Sequence, residues 1–302
     1  MRYLSFIAPN DTQVRLGALL PDDQVASLAR GDMPGDMLSF LQAGPRAWTQ
    51  AETLVRQTVS RWPLDEVTLK APLTSAPSLR DFYAFEQHVA TAHANRGKEV
   101  PPEWYQVPVF YFSNPNAILG PGEPVRAPAA SRALDYELEI AAIIGQPGRD
   151  IPAEKALEHV FGFTIFNDWS ARDLQRQEMK VGLGPAKGKD FASSLGPVIV
   201  TPNELAQRTA GRTGVYDLEM VARVNGEERS RGNWRDMHYS FGELIARASQ
   251  DIVLQPGDII GSGTVGTGCL LEITMGHGPW LQSGDEVVLE IEQLGMLSNR
   301  VA

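Results

Sequence analysis

The run LDYELEIAAIIG (134–145) constrains the fold of this chain more than any other stretch. Its first half alternates: Asp135, Glu137 and Glu139 stand at every second position, with Tyr136, Leu138 and Ile140 between them. Successive side chains of a strand point to opposite faces. As a strand, the run therefore carries three acids on one face and three large apolar groups on the other. The AAII that follows is apolar at every position, so the strand enters a core. Three like charges beside a core call for compensation, and one divalent cation supplies it. Neighbours at i and i+2 are roughly 7 Å apart, so Glu137 and Glu139 reach a common ion. Oxygen-only donors select Mg²⁺ or Mn²⁺, or Ca²⁺, over zinc. An exposed strand edge bearing ordinary acids fits the same pattern.

Around this run, 28 Gly and 21 Pro interrupt most candidate helices. Residues 1–20 read as a hairpin and 33–60 as two short helices. A strand between prolines follows in WPLDEVTLKAPL (62–73). We place a boundary here, giving a small N-terminal domain over 1–70 and a larger one over 71–302. LRDFYAFEQHVATAHANRG (79–97) has apolar residues near helical spacing and a stop at Gly97, so it reads as a helix. WSARDLQRQEM (169–179) reads as another, capped by Asp168. GPVIVT, YDLEMVARVNGE, DIIGSG, CLLEITM and DEVVLEIEQLG read as strands, with a hairpin turn at VNGE (224–227). The fold class is α+β. A (β/α)₈ barrel needs regular helices between parallel strands, and the close succession of strands after residue 215 speaks against it.

Further chemistry-bearing residues surround the acids. Asp168 follows the apolar FTIF, where it serves either as a metal ligand or as a helix cap. Arg172 and Gln175 lie four and seven residues on, and share its face on a helix. Lys187 and Lys189 sit in the glycine-rich GLGPAKGKD. Together these cations bind an anionic substrate oxygen, or they simply face solvent. Asp81 and His88 are seven apart on the expected 79–97 helix, with Tyr83 beside them. His88 suits a general base near neutral pH, with Glu272 of CLLEITM orienting it, but a lone helical histidine also serves structure alone. GLGPAKGK lacks the spacing of a phosphate-binding loop, and GSGTVGTG (261–268) lacks that of a dinucleotide site.

The chain has 27 basic and 37 acidic residues, a net charge of −10, which disfavours a nucleic-acid partner. Cys269 is the single cysteine, which excludes an intrachain disulfide and a Cys-cluster metal site. No apolar run approaches roughly 18 residues, and the first residues show no leader pattern. A cytoplasmic protein with no membrane partner is the expectation.

DYELEIAAIIG, FTIFNDWSARDLQ, GKDFASSLGPVIVT, DIIGSGTVGTG and GCLLEI occur in that order, preceded by DFYAFEQH. This ordered set resembles the fumarylacetoacetate hydrolase superfamily over roughly residues 70–295. The resemblance implies a mixed β-roll with a small N-terminal α/β domain, and a homodimer. It implies metal carboxylates at Asp81, Glu137, Glu139 and Asp168, with Asp135 behind them, and a Mg²⁺ or Mn²⁺ cofactor. The base is then His88, oriented by Glu272, and Lys189 stabilises an oxyanion. Tyr83, Tyr111, Arg172, Gln175 and Thr264 bind substrate, and Arg96 stands where a further substrate arginine is found. Met179 replaces a tyrosine of the fumarylacetoacetase pattern, and PVFYFSNPN differs from its PVGYHGR. The implied activity is metal-dependent hydrolysis of a C–C bond in a β-diketo acid, an acylpyruvate or a relative of fumarylacetoacetate. Decarboxylation or keto–enol isomerisation of a 2-oxo acid is the alternative within the superfamily. Outside it, the alternative is a non-catalytic binding module that depends on a divalent metal.

Overall fold

Strand Leu138–Ile144 runs through the centre of the molecule, antiparallel to Val160–Asp168 on one side and to Ile259–Gly261 on the other. The computed structural model describes residues 1–57 and 60–302. All seven residues of the central strand are buried, as its apolar second half predicts. Leu138, Ile140, Ala142 and Ile144 point into one hydrophobic core, and Ala141 and Ile143 into another on the opposite face.

The strands around it form a mixed sheet of twelve strands among the described residues. From one end, its path runs through Arg61–Pro63, Gln24–Ser27, Val14–Leu19, Arg2–Ile7, Ser193–Val200, Val160–Asp168, Leu138–Ile144, Ile259–Gly261, Leu79–Phe82 and Phe110–Ser113. The ends do not meet, so the sheet is open rather than a barrel. Most neighbours are antiparallel, but Ile259–Gly261 runs parallel to Leu79–Phe82. The expected hairpin over 1–20 is present, and its first strand pairs with Ser193–Val200. Helices Met37–Ala43 and Pro45–Gln57 cover one face of this part of the sheet, burying Met37, Phe40, Leu41 and Ala51.

A second, four-stranded antiparallel sheet has the order Glu227–Asn233, Glu219–Val224, Glu286–Ile291, Gly295–Arg300. Its first turn is the expected one: Asn225 and Gly226 have φ of 52° and 80°, as a two-residue hairpin of this type requires. Met220, Ala222, Leu289 and Ile291 of this sheet share a core with Phe163, Trp234 and Phe241. The architecture is thus α+β, a large mixed sheet with a smaller one packed against it. Among the described residues, no helix is long and apolar enough to cross a membrane.

Four local expectations differ from the structure. The 79–97 segment is a strand, Leu79–Phe82, followed by a shorter helix, Glu86–Ala94. Leu79 and Phe82 mimic helical spacing, but Leu79–Phe82 is flanked by strands on both sides and completes their ladders. CLLEITM holds a short helix, Leu270–Ile273, because the Asp135 carboxylate accepts the Leu270 and Leu271 N–H groups at 2.8 and 3.0 Å. The three alternating acids do not share one strand. Asp135 belongs to the two-residue strand Leu134–Asp135, paired with Ser170–Ala171, and the ladder restarts at Leu138. Asp168 ends a strand and caps nothing. The helix after it, Arg172–Glu178, starts from Ala171, so Asp168 does not share a helix face with Arg172 and Gln175.

Candidate active site

The pairing just described collects carboxylates at one end of the central strands. Asp81 lies in Leu79–Phe82, Glu137 and Glu139 at the start of the central strand, and Asp168 at the end of its neighbour. Because Leu138 faces Asn167 across the ladder, Glu137 and Asp168 are drawn side by side. Strand Ile259–Gly261 separates Asp81 from the central strand, and Gly261 bridges the gap. A Cβ at 261 would stand 2.5 Å from Asp81 Oδ1. Two residues on, Gly263 adopts φ +78° and aims its N–H at Glu139 Oε2 (3.0 Å) and Asp81 Oδ1 (3.2 Å). Thr264 Oγ1 donates to Glu139 Oε1 over 3.3 Å. One oxygen from each of the four acids lies within 4.8 Å of the others, and none of the four is more than 5% exposed.

Two cations are buried with them. Lys189 Nζ donates to Glu137 Oε2 and Asp168 Oδ2, each at 2.5 Å. Arg172 Nε donates to Asp135 Oδ2 at 2.7 Å, Nη1 to Gln175 Oε1 at 3.1 Å, and Nη2 stands 2.8 Å from Glu137 Oε1. With Asp135 included, five carboxylates face two cations, so three negative charges lack a partner when all are ionised. Uncompensated buried charge costs several kcal/mol per ion. The protonation of the cluster reflects this. Burial, reinforced by the neighbouring acids, holds Asp81 and Glu139 well above the usual carboxylate range. Burial also raises Asp168, although Lys189 opposes it. For Glu137, Lys189 and Arg172 outweigh burial and hold it well below that range. Asp168 Oδ2 accepts from Lys189 and from the Tyr111 hydroxyl, whereas its buried Oδ1 has no hydrogen-bond partner among the described residues. A single divalent cation among these oxygens would satisfy Oδ1 and two of the three surplus charges. The donors are all hard oxygens, the set that suits Mg²⁺, Mn²⁺ or Ca²⁺.

The cluster floors a cleft of about 440 Å³. Tyr83, Tyr111, Arg172, Gln175, Lys189 and Thr264 all line it, as do Asp81, Glu137, Glu139 and His88. Asp168 lies beneath, and Glu272 lies behind His88. His88 and Glu272 are buried together, with Nδ1 2.8 Å from Oε2 in a close contact rather than an aligned hydrogen bond. Nδ1 is thus turned to Glu272, which leaves Nε2 for the cleft. Glu272 also accepts from the Thr267 N–H at 3.2 Å. Burial keeps Tyr83 and Tyr111 well above the ordinary phenol value, so both stay neutral donors.

The residues that the family resemblance implies lie together in or against this one cleft. Asp81 and His88 reach it from separate elements, not from one helix face. Lys187 does not join them; it is exposed and pairs with Asp190. Arg96 and Met179 line the cleft, the former beside His93. Sequence reasoning passed over one participant, the Gly263 N–H, because a backbone donor leaves no side-chain signature. Cys269 lies outside the cleft lining, fully buried, with Sγ 3.6 Å from Glu272 Oε2.

Comparison with known proteins places this geometry in context. The Fumarylacetoacetate (FAA) hydrolase C-terminal family matches residues 78–302. The mitochondrial oxaloacetate tautomerase FAHD2A of Homo sapiens is 32% identical over 305 residues, covering 100% of this chain and 91% of the relative. The oxaloacetate tautomerase YisK of Bacillus subtilis is 30% identical over 306 residues, covering 95% of each. Among solved structures, the fumarylacetoacetate hydrolase of the psychrophile Exiguobacterium antarcticum superposes with a TM-score of 0.79 at 29% identity, covering 100% of this chain and 99% of that one. The matched region holds all four carboxylates, both buried cations and the His–Glu pair, and the chain belongs to the fumarylacetoacetate hydrolase family.

Proposed function

We propose that the cleft binds a small 2-oxo acid, of the oxaloacetate type, and interconverts its keto and enol forms with the help of a bound divalent ion. The observation that carries this reading is the surplus of buried carboxylate charge at the cleft floor, directly beside two buried cations. The oxaloacetate tautomerases FAHD2A and YisK, similar over nearly their whole length, support this chemistry over hydrolysis. Asp81, Glu137, Glu139 and Asp168 would hold Mg²⁺ or Mn²⁺, which supplies a Lewis acid for the 2-oxo oxygen.

The residues of the chain do the rest. Lys189 has three N–H donors; two go to Glu137 and Asp168, and the third serves the substrate oxygen on which negative charge develops. Gln175 gives its carbonyl oxygen to Arg172, so its amide N–H groups remain for a substrate carboxylate beside the guanidinium. His88, set by Glu272, takes the proton from the carbon next to the oxo group, water protonates the resulting enolate oxygen to complete the enol, and both transfers run backwards in the other direction. Tyr83 and Thr264 fix the substrate between them.

The buried His88–Glu272 pair also favours a second reading, hydrolysis of a 2,4-dioxo acid. There His88 takes a proton from water, the hydroxide attacks the C4 carbonyl, and the C3–C4 bond breaks to release an enolate that Lys189 stabilises. Product analysis over enol and keto oxaloacetate, acylpyruvates and fumarylacetoacetate separates the two. Tautomerisation of oxaloacetate without C–C cleavage of the diketo acids supports the first reading. Cleavage of a diketo acid with no effect on oxaloacetate replaces it with the second, and inertness towards the whole panel overturns both.

A further inference from the structure

Behind the cleft wall, three side chains of a different character converge. His88 Nδ1 stands 2.8 Å from Glu272 Oε2, and Cys269 Sγ stands 3.6 Å from the same oxygen. One donor atom from each residue lies within 4.8 Å of the other two, and all three residues are buried. Nδ1 makes no aligned hydrogen bond among the described residues despite its burial. Ligands about 2.0–2.3 Å from a tetrahedral ion are spaced roughly 3.2–3.7 Å apart, so small shifts bring these atoms to a common centre. Imidazole, thiolate and carboxylate form the borderline-to-soft set that selects Zn²⁺ and its neighbours, whereas the cleft floor offers oxygen alone.

We propose that His88, Cys269 and Glu272 form a second metal site, selective for a borderline divalent ion such as Zn²⁺ and distinct from the four-carboxylate cluster. Binding releases the thiol proton to solvent and places thiolate, carboxylate and a dipositive ion together with no net charge. The ion enters through the cleft, which His88 lines. A consequence rests on the proposed role of His88 as base: an imidazole ligated through Nδ1 and held against the ion no longer shuttles protons, so Zn²⁺ inhibits turnover while Mg²⁺ supports it.

The test uses the full chain kept saturated with Mg²⁺. Added Co²⁺ is expected to produce a thiolate-to-cobalt charge-transfer band in the near ultraviolet, and added Zn²⁺ to bleach it. The carboxylate cluster has no sulfur and gives no such band. Uptake of Co²⁺ without the band, or a band that survives excess Zn²⁺, overturns the site. In parallel, Cys269→Ser is expected to keep basal turnover and to lose Zn²⁺ sensitivity by at least the ~10–100-fold that removal of an outer-sphere partner alone costs. Zn²⁺ inhibition of equal strength in wild type and Cys269→Ser also overturns it. A bleachable band with turnover that ignores Zn²⁺ keeps the site and overturns His88 as the base.

Discussion

Arg172 donates through Nε to Asp135 over 2.7 Å, and neither side chain is more than 3% exposed. Asp135 meanwhile caps the N-terminus of the Leu270–Ile273 helix, which carries Glu272. One carboxylate thus fixes a substrate-side cation and the orienting partner of the histidine. Burial raises the Asp135 pKa, while Arg172 and the Leu270 and Leu271 N–H groups pull it down. Asp135→Asn is expected to lower unfolding stability by about 3 kcal/mol, the low end of what breaking a buried pair costs. It should also raise KM more than it lowers kcat. Denaturant titration and steady-state kinetics check the two effects, and an unchanged KM would remove Arg172 from the substrate site.

Gly261 leaves the space that Asp81 Oδ1 fills. Gly261→Ala is expected to fold, since its φ lies outside the left-handed region, but to displace Asp81 and weaken Mg²⁺ or Mn²⁺ binding. Calorimetric titration measures the loss. Wild-type affinity in this variant would show that Asp81 is not among the ligands.

Protons and metal compete for the cluster. Asp81 and Glu139 have folded pKa values above their unfolded ones, so the folded state binds the extra protons. Without metal, stability therefore falls as pH rises from about 4, the ordinary carboxylate value, through the raised values. Glu137 works in the opposite sense, because its folded pKa is depressed: its contribution is lost only as pH falls below that window. Saturating Mg²⁺ should flatten the decline at higher pH, and Mg²⁺ affinity should climb with pH over the same range. Melting curves with and without Mg²⁺, measured across pH, check both trends.

His88→Ala is expected to reduce turnover by ~10²-fold or more, within the span of general base catalysis, and to leave Mg²⁺ affinity nearly intact. Glu272→Gln should retain folding and shift the pH–rate profile, because it changes the charge beside Nδ1. Wild-type turnover in His88→Ala would assign the proton transfer to another group.

The parts legible in the sequence were those encoded locally. The central strand announces itself in the apolar run that ends in AAII, and the Asn225–Gly226 turn in its residue types, whereas the alternation before it spans a break between two strands. Where a distant residue decides, the local pattern misleads. Leu79–Phe82 reads as helix until the strands at 110–113 and 259–261 claim its backbone. Residues 270–273 read as strand until Asp135, far back in the chain, caps them as a helix. The membership of the site came through the motif order of DFYAFEQH, DYELEIAAIIG and GCLLEI. Its geometry, above all the shared Lys189 bridge and the orphaned Asp168 oxygen, follows from sheet register and is invisible in one dimension.

The claim that buried carboxylates arm this cleft for enolisation is tested by following the ultraviolet absorbance of freshly dissolved enol-oxaloacetate. With Mg²⁺, the wild-type chain should speed the approach to keto–enol equilibrium well above the buffer rate. A chelator should abolish the gain, Mg²⁺ should restore it, and Glu139→Gln should show little of it at any Mg²⁺ concentration. An approach to equilibrium no faster than buffer, or an acceleration that survives both the chelator and Glu139→Gln, would refute the assignment of this chemistry to the four-carboxylate site.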